Sequence, residues 1–89
     1  MRPVLILSHD VFNARSGTVI AVALTSREPR AAFPLTLECE ASALPKRSWV
    51  KISQIRTLAV ERIGRRLAQA SAEEVSKVLD GLDEIIGDV

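Results

Sequence analysis

This 89-residue sequence contains little cysteine, histidine or aromatic residue, and its glycines are not clustered. It contains one cysteine and one histidine, which excludes an intramolecular disulfide and a zinc site built from several Cys and His ligands. It has one tryptophan, two phenylalanines and no tyrosine, so we expect a core of Val, Ile, Leu and Ala. Its four glycines are scattered, which excludes a glycine-rich phosphate-binding loop.

Long apolar runs are also missing. No run approaches the roughly 20 apolar residues that a membrane span needs. The short apolar stretch after Met1-Arg2 fits a buried strand better than a signal peptide. We therefore expect a cytoplasmic protein without a membrane partner, in which Cys39 is a reduced, small apolar side chain. The length and the 47% hydrophobic content predict one folded domain over residues 1–89, with a thin core.

Charge is nearly balanced over the whole chain but unevenly distributed along it. The formal net charge is +1. Residues 45–70 carry a surplus of six positive charges, whereas residues 71–89 carry a deficit of five. A basic middle of this kind is typical either of an ordinary solvated surface or of a local anion-binding face.

Four apolar segments have the length and pattern of β-strands. We predict strands over residues 3–8, 18–25, 34–39 and 48–55. The second is continuously apolar, which favours a central position in the sheet. In the fourth, Trp49 and Lys51 should share one face and Val50 and Ile52 the other. Residues 9–17 and 26–32 are predicted to be loops, because they are polar and contain Gly17 and Pro29 respectively.

The last third of the sequence predicts helical structure. Residues 58–63 fit one helical turn ended by Gly64, and residues 65–69 fit a short fifth strand. Ser71 and Glu74 then have capping-box spacing, followed by apolar residues at helical intervals. We predict a helix over residues 72–86. Strands followed by one C-terminal helix indicate a mainly β (α+β) domain, a small SH3-like barrel.

A candidate chemical site follows from the first two strands. The first begins after Arg2, and the second ends with the hydroxyls of Thr25 and Ser26. If these strands pair, a guanidinium and a hydroxyl approach each other, which suits binding and cleavage of a phosphodiester. From the residues alone, the alternative is a surface charge at Arg2 and turn-forming hydroxyls at the strand end. Ser8-His9-Asp10 does not indicate a hydrolase triad, because triads are assembled in space rather than from sequence neighbours.

A series of landmarks extends along almost the whole chain in a fixed order. They are Arg2-Pro3-Val4-Leu5-Ile6-Leu7-Ser8, Asp10 with Asn13, Thr18-Val19-Ile20-Ala21-Val22, Leu24-Thr25-Ser26, Phe33-Pro34, Ser48-Trp49-Val50, Gln54-Ile55-Arg56-Thr57-Leu58, Glu61-Arg62-Ile63-Gly64-Arg65 and Ser71 before the helix. Each is weak alone, but their combined order and spacing resemble the MazF/PemK toxins of bacterial type II toxin–antitoxin pairs.

The resemblance implies a fold, an activity and partners. The fold is an SH3-like barrel of the MazF/PemK/CcdB type with a C-terminal helix, assembled as a homodimer. The activity is sequence-specific, metal-independent endoribonuclease cleavage of single-stranded RNA through the substrate's 2′-hydroxyl, with no cofactor. The implied partner is a cognate antitoxin with an acidic, extended tail.

The resemblance also implies which residues form the site. Arg2 and Thr25 match the catalytic pair of the family, while Ser26, Arg27 and Gln54 fall where substrate is bound. Members of the family usually begin with a further strand upstream of the Arg-Pro, whereas here Arg2-Pro3 follows Met1 directly.

Two alternatives to an active ribonuclease stay open at this point. One is a toxin fold without catalysis that only binds an antitoxin. The other is a gyrase poison of the CcdB type, which uses a Trp-Gly-Ile end, whereas this sequence ends Gly87-Asp88-Val89.

Overall fold

Four antiparallel strands form one curled sheet, and a C-terminal helix packs on it. The computed structural model describes residues 3–40, 44–64, 66 and 68–87. The elements are β1 (Val4–Ile6), α1 (Asp10–Ser16), β2 (Thr18–Thr25), β3 (Thr36–Glu38), β4 (Trp49–Ala59), a 3₁₀ turn (Val60–Arg62) and α2 (Ala72–Ile86). The strand order is β1-β2-β4-β3. This half-barrel with a C-terminal helix confirms the predicted fold class and the central position of β2.

β4 is interrupted where it runs beside β2. Ala23 of β2 pairs with Lys51, whereas the preceding residue, Val22, pairs with Ile55. Residues 52–54 of β4 therefore have no partner in β2. The backbone N–H of Ile52 instead donates to the carbonyl of Leu35, at 2.9 Å. Extra residues on one strand of a pair bend that strand and increase its twist, so this interruption curls the sheet.

The core lies between the sheet and α2. Its fully buried members are Val22, Val50, Ile52 and Val78. Partly buried residues pack around them: Leu5, Leu7, Leu24, Leu37, Cys39 and Leu82. The predicted aliphatic core is thus confirmed, and Val50 and Ile52, which were predicted to share one face of their strand, both lie in it. Because alternate residues of a strand face opposite sides, Ala23 and Thr25 are left on the other face of β2.

The N-terminus of α2 has the predicted capping box. Ser71 Oγ accepts a hydrogen bond from the Glu74 N–H (3.1 Å), and Glu74 Oε1 accepts one from the Ser71 N–H (3.3 Å). The other oxygen of this buried carboxylate accepts from the backbone N–H of Glu40, at 2.8 Å. One side chain therefore caps the helix and attaches it to the segment that follows β3.

α1 corrects the prediction of a loop over residues 9–17. It is only seven residues long, which is too short for a helical period to show in the sequence, and none of its residues is buried. It ends at Gly17, whose φ of 70° is left-handed and whose N–H donates to the Asn13 carbonyl at 3.0 Å. At its start, Ser8 Oγ accepts from the Ile20 N–H (2.9 Å), which fixes the approach of the chain from β1.

Several predicted boundaries were also wrong. β4 continues to Ala59, and the turn after it is a 3₁₀ turn over Val60–Arg62 that ends at Ile63 rather than at Gly64. β1 and β3 are shorter than predicted. Residues 66, 68 and 69 of the predicted fifth strand are not in a strand, while Arg65 and Leu67 lie outside the described residues.

Gly81 is the point of closest approach between α2 and the sheet. A Cβ at this buried position would lie 2.7 Å from Ile52 Cδ1 and 3.2 Å from the Pro34 carbonyl oxygen. Ile52 is itself completely buried and has little room to move. A side chain at residue 81 would therefore push the helix off the sheet.

We expect Gly81→Val to lower the free energy of unfolding by about 1–3 kcal/mol, because the added methyl groups overpack this contact. Urea unfolding followed by circular dichroism measures the change. Ser76→Val is the matched control, since residue 76 lies on the exposed side of the same helix. If the two variants unfold at the same urea concentration, the close contact at Gly81 is contradicted.

Candidate functional site

A groove of about 1070 Å³ lies against β1, β2 and β4. Ala23 of β2 and Lys51 of β4 line it, and these two residues pair with each other in the sheet. Each alternates along its strand with residues that face the core. Its rim is completed by the segment after β2, the segment before β4 and the 3₁₀ turn after β4. The groove is therefore built where the curl of the sheet brings separate parts of the chain together.

Four of the five site residues predicted from the sequence line this groove. Thr25, Ser26 and Arg27 enter it from the end of β2, and Gln54 enters it from β4. Arg2, the fifth, lies outside the described residues. Its sequence neighbour Pro3 lines the groove, and the Pro3 carbonyl accepts a hydrogen bond from the Leu24 N–H at 3.2 Å. This bond and the register of β1 and β2 show that the first two strands pair, which was the condition for the candidate site.

The Thr25 hydroxyl is held in a defined orientation. Thr25 is the last residue of β2, and its Oγ1 accepts a hydrogen bond from the Arg27 backbone N–H at 3.1 Å. This is a local turn of the kind that hydroxyl residues favour at strand ends. Because the oxygen accepts this bond, its O–H hydrogen stays available to donate to a ligand in the groove.

Gln54 reaches the groove because of the interruption in β4. It is one of the three residues that have no partner in β2, and it is exposed. Its amide carries both donors and acceptors, so it can hydrogen-bond to a polar ligand in either sense.

The groove is strongly basic. Five cationic side chains line it, whereas Glu61 is the one acidic residue among the lining residues that the structure describes. The cations are Arg27, Lys46, Lys51, Arg56 and Arg62. Four of them come from the basic middle of the sequence, residues 45–70. Their position in one groove favours the interpretation of that charge as a local anion-binding face over an ordinary solvated surface.

The sequence patterns missed how the basic residues are arranged. Alternation placed Lys51 on the same face of its strand as Trp49, but it is the register with Ala23 that places Lys51 near the end of β2 that carries Thr25. Arg56 pairs with Ala21 after the interruption, so its position depends on how many residues the interruption contains. Nothing in the spacing of the sequence specifies that number.

An ion cluster lies beside the groove at the β3–β4 edge. Arg47 donates to both carboxylate oxygens of Glu38, with Nε at 2.5 Å and Nη2 at 3.2 Å. Its Nη1 lies 3.9 Å from Glu28 Oε1, and its guanidinium lies 5.0 Å from the centre of the Trp49 ring. The hydrogen bond to Arg47 lowers the pKa of Glu38, and the same bond raises the pKa of Arg47.

Other reactive groups lie elsewhere in the molecule. Cys39 is half-buried, and its burial together with the charges of Glu74 and Glu38 raises its pKa to about 11, so it is a protonated thiol at neutral pH. Ser8, His9 and Asp10 do not line the groove.

Across the part of the chain that the structure describes, no three His, Cys, Asp or Glu side chains are grouped to hold a metal ion. No helix in that part is long and apolar enough to cross a membrane.

The chain is similar to known toxins in both sequence and structure. Residues 1–86 match the family described as PemK-like, MazF-like toxin of type II toxin-antitoxin system. The chain is 36% identical over 89 residues to Endoribonuclease MazF of Staphylococcus saprophyticus, covering 98% of this chain and 74% of that protein.

Solved structures agree with this match. A MazE-MazF crystal structure from Deinococcus radiodurans superposes with a TM-score of 0.83 at 27% identity, covering 98% of this chain and 83% of that one. A mycobacterial endoribonuclease in complex with its cognate antitoxin superposes with a TM-score of 0.79 at 26% identity, covering 96% and 80%. The chain therefore belongs to the family of PemK-like, MazF-like toxins of type II toxin–antitoxin systems.

Proposed function

We propose that this chain is the toxin of a type II toxin–antitoxin pair and an endoribonuclease that cleaves single-stranded RNA in the cytoplasm. The observation that carries the proposal is the basic groove, which collects Thr25, Ser26, Arg27 and Gln54 at one place. A groove with five cations suits a polyanionic backbone, because phosphate contacts by Lys and Arg supply much of the affinity for nucleic acids. The name of the staphylococcal relative, Endoribonuclease MazF, supports the same activity.

The proposed reaction uses the substrate's own nucleophile. The 2′-hydroxyl oxygen attacks the adjacent phosphorus, and the bond from phosphorus to the 5′ oxygen of the next nucleotide breaks. The products are a 2′,3′-cyclic phosphate and a 5′-hydroxyl, with the protons exchanged through water. No metal ion or cofactor takes part in this scheme.

The roles of the two catalytic residues follow from the charge that the reaction develops. In the pentavalent transition state, the non-bridging phosphate oxygens become more negative, so preorganised donors aimed at them lower the barrier. The Thr25 hydroxyl is such a donor, since its oxygen is already fixed by the Arg27 N–H. Arg2 supplies a guanidinium fork that can bind two phosphate oxygens. Because a guanidinium stays protonated in proteins, Arg2 acts by electrostatic stabilisation rather than by releasing a proton.

The remaining groove residues bind and orient the RNA in this proposal. Ser26, Arg27 and Gln54 contact the substrate near the cleaved bond, while Lys51 and Arg56 hold flanking phosphates. Holding the chain in line for attack contributes to the rate independently of the donors, because it removes the entropy loss of reaching that geometry.

Two protein partners are part of the proposal. An antitoxin with an acidic, extended tail would bind the same basic groove and compete with RNA, since opposite charges steer such encounters. The MazE-MazF structure and the mycobacterial endoribonuclease solved with its cognate antitoxin support a protein partner of this kind. A homodimer would add buried apolar surface to an 89-residue domain whose core is small.

We expect the purified protein to cleave mixed-sequence RNA at selected sites in the presence of EDTA. The reason is that the scheme needs only donors and cations that the chain itself supplies. Mapping of the new 5′ ends measures the site selectivity. Loss of cleavage on chelation, with recovery on adding Mg²⁺, would contradict the metal-free scheme. Binding of an antitoxin without any cleavage would instead favour the non-catalytic alternative.

We expect Arg2→Ala and Thr25→Ala each to reduce kcat by about 10²–10³, the usual effect of losing one preorganised donor to a developing oxyanion. Thr25→Ser should retain much of the activity because it keeps the hydroxyl, whereas Arg2→Lys should be poor because an ammonium lacks the planar fork. Arg15→Ala is the matched control, because Arg15 lies on α1 and does not line the groove. Near-normal cleavage by either alanine variant, with the fold checked by circular dichroism, would remove that residue from the mechanism.

A further inference from the structure

Arg47 connects three segments of the chain at the end of the groove. Its guanidinium is hydrogen-bonded to Glu38 on β3, lies near Glu28 in the segment after β2, and stacks on Trp49 of β4. Isolated ion pairs on a surface contribute little, but a two-point Arg–carboxylate pair within a network has a defined geometry. Because β3 and β4 are already paired in the sheet, what Arg47 adds is a link from them to Glu28 in the segment after β2.

Trp49 lies directly beside Thr25 in the sheet. It pairs with Thr25 on one side and with Glu38 on the other, so the three residues form a row across β2, β4 and β3. Residues directly opposite each other on paired antiparallel strands project from the same face. The Arg47 guanidinium thus lies over the same face from which the Thr25 side chain projects.

A second connection runs through the segment after β2. The Thr25 hydroxyl oxygen is held by the N–H of Arg27, and Glu28, the next residue, is the one that Arg47 approaches. Among the groove-lining residues that the structure describes, Lys46 and Ser48 are present but the intervening Arg47 is not. Arg47 is placed to support the groove from beside it.

We propose that Arg47 is a positioning residue for the Thr25 hydroxyl, acting through Trp49 and through the turn from Thr25 to Glu28. This inference rests on the proposed ribonuclease function. Small displacements of a donor have large effects on rate, because the donor must meet an oxygen of the transition state at hydrogen-bond distance. Without Arg47, the turn loses its attachment to β3 and the Trp49 ring loses the group stacked on it.

The structure also offers the competing possibility that Arg47 contacts RNA itself. The positioning role and the RNA-binding role predict opposite effects of replacing Glu38. If Arg47 positions Thr25, then Glu38→Gln weakens the network and slows cleavage, as Arg47→Ala does. If Arg47 binds phosphate, then Glu38→Gln frees its guanidinium and tightens RNA binding. Because both residues belong to one network, their effects should not be additive in the positioning case.

The test compares Arg47→Ala, Glu38→Gln, the double variant and Arg47→Lys with the wild-type protein, by steady-state cleavage of an RNA oligonucleotide. We expect kcat to fall by about tenfold or more in Arg47→Ala, with a smaller fall in Glu38→Gln. KM should stay within about twofold of the wild-type value, since the binding cations are untouched. The double variant should match Arg47→Ala. Arg47→Lys should rescue kcat only in part, because lysine keeps the charge but not the fork.

A spectroscopic measurement accompanies the kinetics. Trp49 is the only tryptophan and the sequence has no tyrosine, so intrinsic fluorescence reports on this ring. Loss of the stacked guanidinium should expose the ring to water and shift its emission to longer wavelength. Lys77→Ala is the matched control, since it breaks another exposed ion pair, with Glu40 at 3.4 Å, and should change neither kcat nor the emission.

The inference is overturned if Arg47→Ala keeps the wild-type kcat, or if it raises KM alone while Glu38→Gln tightens RNA binding. Where Arg47→Ala fails to fold, Glu38→Gln decides, because it is nearly isosteric and must itself lower kcat. A wild-type protein that cleaves no RNA would overturn the proposed function together with this inference, whereas cleavage with an unchanged kcat in these variants would overturn the inference alone.

Discussion

The structure depends on the interruption of β4 between Lys51 and Ile55. Before it, β4 lies between β2 and β3, and after it, β4 continues along β2 to Ala59. The bend curls the sheet, so that one face closes on α2 and the other forms the basic groove. It also frees Gln54 from pairing with β2 and leads into the part of the strand that carries Arg56. A regular ladder in this place would give a flatter sheet, without the curl that surrounds the groove.

The core and the groove share the same short strands, so packing on one face supports chemistry on the other. Ile52 begins the interruption and contacts Gly81 of α2, while Gln54 ends it in the groove. Leu24 packs in the core, and its neighbour Thr25 carries the proposed donor. Because the core of the described residues has only four fully buried members, a change that lifts α2 from the sheet removes the support behind the groove. At the start of α2, Glu74 closes the capping box and also accepts a hydrogen bond from the Glu40 N–H, so this end of the helix is attached to the segment after β3.

Much of this architecture could be predicted from the sequence. Runs of Val, Ile and Leu located the four strands, and the spacing of Ser71, Glu74 and the apolar positions located α2, because these signals reside in neighbouring residues. The resemblance to MazF/PemK toxins predicted Thr25, Ser26, Arg27 and Gln54 as site residues, and all four line the groove. α1 was missed because tertiary hydrogen bonds and Gly17, rather than an apolar face, define it. The extent of β4 was missed because it depends on pairing with β2, which is far away in the sequence. The Arg47 cluster was missed because it depends on how β3, β4 and the segment after β2 are placed in space.

In the reaction proposed for this chain, the groove cleaves RNA through the substrate's own 2′-hydroxyl. The most direct measurement uses two oligonucleotides with the mapped cleavage site, one all-RNA and one with a single 2′-deoxynucleotide on the 5′ side of the cleaved bond. We expect both to bind with similar affinity, since the phosphates that the cations contact are unchanged. Only the all-RNA strand should be cut, and its product should end in a cyclic phosphate. Cleavage of the deoxy-substituted strand at the same bond would contradict it, because the nucleophile would then have to come from elsewhere.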